Sequence, residues 1–129
     1  MQLAFLHGWA PHILSILRIL AAATFLTHGT MKLFGWPAPF PYPLNGLLYT
    51  AAILEVVGGL LLIVGLFSRP VALILSGQMA VAYFLGHAGQ GFFPALNGGE
   101  PALLFCFVFL YIAAAGPGPW SADAAAGRA

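Results

Sequence analysis

Four apolar runs, at about 13–34, 45–67, 71–88 and 99–115, leave this chain few architectures. A helix that crosses a bilayer needs roughly 20 mainly apolar residues, and each run approaches that length. Only 5% of the residues are charged and 61% are hydrophobic, whereas a soluble domain carries about 25% charged residues. The solvent of such a chain is lipid. In lipid every backbone polar group must be satisfied within the chain, so long apolar runs become helices.

The breaks between the runs are chemically distinct. GWPAPFPYPLNG (35–46) has proline at every second position from Pro37 to Pro43, which blocks helix and favours an extended strand. SRP (68–70) reads as a tight connection, so the second and third helices form an antiparallel hairpin. GQGFFPALNGG (89–99) is a longer glycine-rich loop with two adjacent aromatics, and PGP after Gly116 ends the last helix beside Trp120. The expected fold is all-α, an antiparallel four-helix bundle spanning residues 13–116. An interfacial segment (1–12) precedes it and a loose tail (117–129) follows. No internal repeat goes beyond the symmetry of two hairpins.

An even number of spans puts both termini on one side, with Arg18, Arg69 and Arg128; the other side has Lys32. The positive-inside rule then places both termini in the cytoplasm. A net charge of +1 without a basic stripe argues against a nucleic-acid partner. Cys106 is the single cysteine, which rules out an internal disulfide or a CxxC redox pair.

Ionisable residues inside spans are costly and therefore functional candidates. At a rise of 1.5 Å per residue, His28 lies roughly 9 Å and Lys32 roughly 3 Å below the outer end of the first span, and Glu55 about 15 Å below that of the second. His87 and Glu100 lie near outer ends, with Tyr83 one turn from His87. Helical spacing aligns Arg18, Phe25, His28, Gly29 and Lys32 on the first span, and Glu55, Gly58, Gly59 and Leu62 on the second. It aligns Ser76, Ala80, Tyr83 and His87 on the third, with Gln78 pointing away, and Glu100, Leu104, Phe107 and Tyr111 on the fourth. Turned inward, these faces build one polar pocket of His28, Lys32, Glu55, Tyr83, His87 and Glu100 in the outer half.

Structural readings stand beside the functional ones. Glu55 can be a protonated carboxyl bonded to a neighbouring helix, and Gly58 and Gly59 can serve close packing. Asn97-Gly98-Gly99-Glu100 matches a capping box, with Pro101 in the first turn. Lys32 and Arg18 can snorkel to headgroups. Tyr111 and Cys106 fit a core, and His7 and His12 an interface.

No nucleophile triad, phosphate loop or clustered metal-ligand spacing occurs, so no metal site is expected. His28 and His87 could ligate a haem axially, at unequal depths. A small molecule with carbonyl or hydroxyl oxygens, such as a quinone, suits the pocket better. Lys32 or His28 would hold its oxygens and His28 or Glu55 would supply protons, with Phe92, Phe93 and Trp36 covering the ring. A proton-coupled carrier would use a similar Glu/His pair.

The strings LRILAAATFLTHGTMKLFG, LEVVGGLLLIVGLFSRP, GQMAVAYFLGHAGQGFFPALNGGE and FVFLYIAAAGPGPWSAD resemble the DoxX family of bacterial membrane proteins. The resemblance rests on Arg18, His28, Gly29, Lys32, Glu55, Gly58, Gly59, Gly65 and Arg69, then on Gln78, His87, Asn97, Gly98, Gly99, Glu100, Pro117 and Trp120. It implies a four-helix, multi-pass protein of the bacterial inner membrane. Some members of this family are subunits of a thiosulfate:quinone oxidoreductase, and others belong to membrane oxidoreductase or redox-stress assemblies.

The resulting expectation is a redox-associated membrane subunit that binds a quinone-like molecule and is not a complete enzyme alone. His28 and Glu55 handle protons; Lys32, Tyr83, His87, Glu100 and Gly29 bind the ligand; Arg18, Gly58, Gly59, Gln78 and Asn97 are structural. Membrane lipid surrounds it, as a homo-dimer or in a hetero-complex with redox proteins. The competing expectations are a non-enzymatic scaffold, a small-solute or proton-coupled carrier, and a haem-binding subunit.

Overall fold

The structure, a computed structural model, describes residues 3–128. Among them there is no strand, and the helices are α1 (Ala4–His7), α2 (Ala10–Phe34), α3 (Gly46–Val64), α4 (Ser68–Gly86), α5 (Pro94–Asn97), α6 (Glu100–Ala115) and α7 (Ala122–Ala125). Local chemistry sets the ends. Pro11 sits in the first turn of α2, where its missing N–H costs nothing. Gly35 closes α2 at φ +67°, donating its N–H to the Met31 carbonyl. Asn45 caps α3 by accepting from the Leu48 N–H at 2.9 Å.

Three helical stretches, Ala10–Phe34, Gly46–Val64 and Ser68–Gln90, are long and apolar enough to cross a membrane, and α6 is apolar but only 16 residues long. The closest packing joins α2 to α3 and α4 to α6, with thinner contacts from α3 to α4 and from α2 to α6. Glycine makes the first contact possible: a Cβ on Gly29 would lie 2.8 Å from Val56 Cγ2 and 2.9 Å from Glu55 Cβ. A common core of Phe25, Leu62, Leu75, Met79, Phe109 and Ile112 ties the two pairs together. The rings of Phe25 and Phe109 meet edge-on at 5.0 Å. Outside this core, Leu20, Ile53, Val57, Leu73, Ile74, Phe84 and Leu104 are exposed. A surface built this way is stable only against acyl chains.

Several expectations are corrected. Residues 35–45 bend irregularly and form no strand. The Ser68-Arg69-Pro70 run is the first turn of α4, not the connection before it. The turn is made by Gly65, Leu66 and Phe67, with Gly65 at φ +78° and Phe67 at φ +52°. The fourth helix turns Ala102, Phe109 and Ile112 inward, and leaves Glu100, Leu104, Phe107 and Tyr111 outside. Because α6 is apolar on all sides, one acid in its first turn could not reveal the inward face; packing against Phe25 decides it. Tyr111 is thus not a core residue, whereas Cys106 is half-buried with its carbonyl accepting from Ser76 Oγ at 2.7 Å.

Arg18 does not snorkel. It is fully buried and its guanidinium donates to the carbonyls of Leu62 (2.8 Å), Pro117 and Trp120 (2.7 Å). Nor is the tail loose. Ser15 Oγ accepts from the Trp120 N–H at 3.1 Å. Asp123, itself buried, accepts from the backbone N–H groups of Phe67 (2.9 Å) and Ser68 (2.8 Å) at the start of α4. Burial pushes the Asp123 carboxyl up, but those two N–H groups, the Ser68 side chain and Arg128 outweigh it and hold it below the ordinary carboxylate value. His12 stands edge-on between Trp9 and Trp120, with centroids at 5.4 and 4.9 Å, while His7 is exposed.

Candidate functional site

The structure divides the expected single pocket into three neighbourhoods at the end of the bundle opposite the termini. The first is a buried ion pair. Lys32, in the last turn of α2, donates from Nζ to Glu55 Oε1 at 2.7 Å, with side-chain exposures of 9% and 3%. Gln78 of α4 donates to Glu55 Oε2 at 2.9 Å, and its Oε1 is buried without a donor among the described residues. Phe40 of the proline-rich segment lies over the ammonium, 5.1 Å from ring centroid to Nζ, a cation–π contact. Three helices are thereby cross-linked through one carboxylate. Gly29 lets α2 approach closely enough for Lys32 to reach it. Gly58 packs on Leu75, and Gly59 on Leu26.

The second neighbourhood is a groove between α2 and α6. Ala21, Thr24 and His28 line one wall, and Glu100, Pro101, Leu104, Phe105 and Val108 the other, around about 490 Å³. His28 is an outward residue on the flank of α2, not an inward one. Its ring stands edge-on to Phe105 at 6.0 Å. No hydrogen bond joins it to Glu55 or Lys32 among the described residues. Six residues of α2 lie beyond His28, which places it roughly 9 Å below the end of that helix. Glu100 shares the groove with it and makes no side-chain hydrogen bond or ion pair among the described residues. Glu100 is the first residue of α6 and is exposed at the mouth of the groove.

The third neighbourhood is a loop network. Asn97 donates from Nδ2 to the Tyr83 hydroxyl (3.1 Å) and the Gly91 carbonyl (3.0 Å), and its Oδ1 accepts from the Gly99 N–H (2.7 Å). His87 Nδ1 lies 3.1 Å from the Asn97 carbonyl and so carries the proton of that bond. The capping box is corrected here: Gly99, not Asn97, is the N-cap of α6, and no side chain caps it. Asn97 is spent instead on folding its own loop.

Lys32 and Glu55 therefore meet; His28 and Glu100 meet across a different space; Tyr83 and His87 belong to a third. His28 and His87 engage different partners, Phe105 and Asn97, and do not face a common ligand. Phe92, Phe93 and Trp36 are exposed and cover none of these sites. Gln78 points away from the Ser76 face, as its spacing implies, but still looks inward: α4 packs against both α3 and α6, so it has two inward faces and Gln78 occupies the one toward α3. Phe40 carries no pattern that would have announced its contact.

The DoxX family profile matches residues 13–88, more than half of the chain. A protein of Haemophilus influenzae, described as an uncharacterized protein, is 43% identical over 129 residues that cover 92% of this chain and 93% of its own. No solved structure matches significantly. Profile, relative and apolar helices agree: the chain belongs to the DoxX family of membrane proteins.

Proposed function

We propose that this protein is a redox-associated subunit of the bacterial inner membrane that holds a quinone-like molecule in the groove between α2 and α6. The observation that carries the reading is that His28 and a partnerless Glu100 line one mostly apolar groove between α2 and α6. Ala21 and Thr24 leave the space, Leu104, Phe105 and Val108 supply the apolar wall, and the opening faces the solvent in which such molecules dissolve. A bound quinone would supply two-electron, two-proton chemistry. His28 can donate to a carbonyl oxygen or accept from a hydroxyl, and Glu100 can hold the accompanying proton. Glu55 is held by Lys32 and Gln78 and lies outside this groove. Electrons must come from a partner protein, since a single cysteine provides no dithiol. Arg69 and Arg128 at the end carrying the termini favour a cytoplasmic placement for it.

The test is titration of a short-chain ubiquinone and a menaquinone analogue against protein in lipid nanodiscs. His28→Leu and Glu100→Leu each remove one hydrogen-bonding group, worth about 1 kcal/mol or about fivefold in affinity. Thr24→Trp, which fills the groove, abolishes binding. Unchanged affinity in all three variants refutes the assignment.

A second reading, a scaffold without a ligand, is favoured by the Lys32–Glu55–Gln78 cluster, whose charged members are consumed by each other. It requires that Glu55→Gln lowers stability and that no quinone raises the melting temperature.

A further inference from the structure

Residues 87–99 join α4 to α6 and have two unlike sides. The polar side is spent inward: Asn97, 3% exposed, binds Tyr83, Gly91 and Gly99 at once, and His87 binds the Asn97 backbone. Gly99 is indispensable to this fit, because a Cβ there would lie 2.6 Å from the Tyr83 ring. The other side is apolar and open. Phe92 is 86% exposed, Phe93 62% and Leu96 81%. Phe84 and Leu85, at the end of α4 that leads into this segment, are exposed as well. From Val71 to Gly99 there is no Asp, Glu, Lys or Arg.

The helix that follows is too short. The 16 residues of α6 reach about 24 Å, against a hydrocarbon core of about 30 Å. A vertical loop standing in water above α6 would leave roughly 6 Å of the bilayer unspanned on that flank and carry three large apolar side chains into water. A loop lying flat covers the shortfall and buries them.

We propose that residues 87–99 form a horizontal cap lying in the membrane interface, with Phe92, Phe93 and Leu96 inserted among the lipids. The occupant of this face is the lipid surface itself. The exposed Phe84 and Leu85 at the adjoining end of α4, the uncharged stretch and the missing length of α6 all fit an apolar, laterally continuous partner. The Asn97 network is what keeps the cap flat, by turning its polar groups toward Tyr83 and away from the lipid.

The test is electron paramagnetic resonance of nitroxide labels in proteoliposomes of phosphatidylcholine and phosphatidylglycerol. Cys106→Ala removes the natural thiol, and Phe92→Cys, Phe93→Cys and Leu96→Cys each accept one label. The expected result is relaxation by dissolved oxygen at least fivefold more effective than by a water-soluble nickel complex, at all three positions. A label at Gly127→Cys, in the exposed tail, gives the reverse order. If the nickel complex reaches the three positions as it reaches the tail, the cap stands in water and the proposal is overturned. If neither reagent reaches them, a protein surface covers the face, a second copy or another partner, and the proposal is equally overturned. Phe93→Trp, with Trp9, Trp36 and Trp120 replaced by Phe, gives an independent reading. Lipids brominated near the headgroup quench a shallowly inserted indole and leave one in water bright.

Discussion

Replacing Lys32 by methionine removes the ammonium and keeps the length of the side chain. At 2.7 Å and an effective dielectric constant of about 20, the attraction to Glu55 is about 6 kcal/mol before desolvation is subtracted. Glu55 is only 3% exposed, so water cannot replace the lost partner. Stranding one member of a buried pair costs about 3–5 kcal/mol, whereas removing both is often neutral. Gln78 still donates to Oε2 in the variant, which puts the expected loss near the lower end, about 3 kcal/mol. Reversible unfolding in mixed micelles measures it for Lys32→Met, Glu55→Gln and the double variant. The double variant is expected to lose less than Lys32→Met alone, with a coupling of at least about 2 kcal/mol. A loss below about 1 kcal/mol for Lys32→Met, with effects that simply add, would refute the view that this pair holds α2 to α3.

Other consequences can be measured in the same way. Gly29→Ala forces α2 and α3 apart, because its Cβ would meet Val56, Glu55 and Ala52 at 2.8–3.0 Å, and is expected to cost about 1–3 kcal/mol. Gly77→Ala, with nothing within 4 Å, is expected to be neutral or to stabilise by up to about 1 kcal/mol. Arg18→Met takes a donor from the carbonyls of Leu62, Pro117 and Trp120, of which Pro117 keeps Ser15 Oγ, and should free the tail, read as faster proteolysis after Trp120. Asp123 titrates below its ordinary value of 3.8, so its contribution is complete above that pH and is lost as pH falls through the lower folded value. The melting temperatures of wild type and Asp123→Asn should therefore differ by a constant amount from pH 5 to 8 and converge below pH 4.

The spans were legible because so few charged residues interrupt them, and because Gly35, Asn45, Gly65 and Gly116 mark ends with backbone chemistry that other residues resist. The pairing of Lys32 with Glu55 was within reach of a helical wheel, since Glu55 is the one charged residue of α3 and Lys32 the one charged residue of the same half of α2. What the wheel could not tell was orientation. α6 has no polar stripe, so its rotation follows from how Phe109 and Ile112 fit the core. α4 faces two neighbours, so Gln78 and Ser76 both look inward, to Glu55 and to Cys106. The tail was illegible for a different reason. Arg18 and Asp123 bind main-chain groups, and a backbone carbonyl or N–H leaves no trace in the identity of its residue.

Arg18 also imposes an order in time. Its first acceptor, the Leu62 carbonyl, lies 44 residues further along the chain, and its last, at Trp120, lies 102. Until Leu62 of α3 is made the guanidinium has none of these acceptors, and through the synthesis of α4 and α6 it has that one carbonyl alone and must turn its other N–H groups to the headgroups or to water. Only when the final dozen residues emerge can it withdraw and bring the first membrane helix into register with the last turn. The first charge to enter the bilayer is thus the last to be satisfied, and a chain cut short before Pro117 keeps an unsettled first helix however complete its spans.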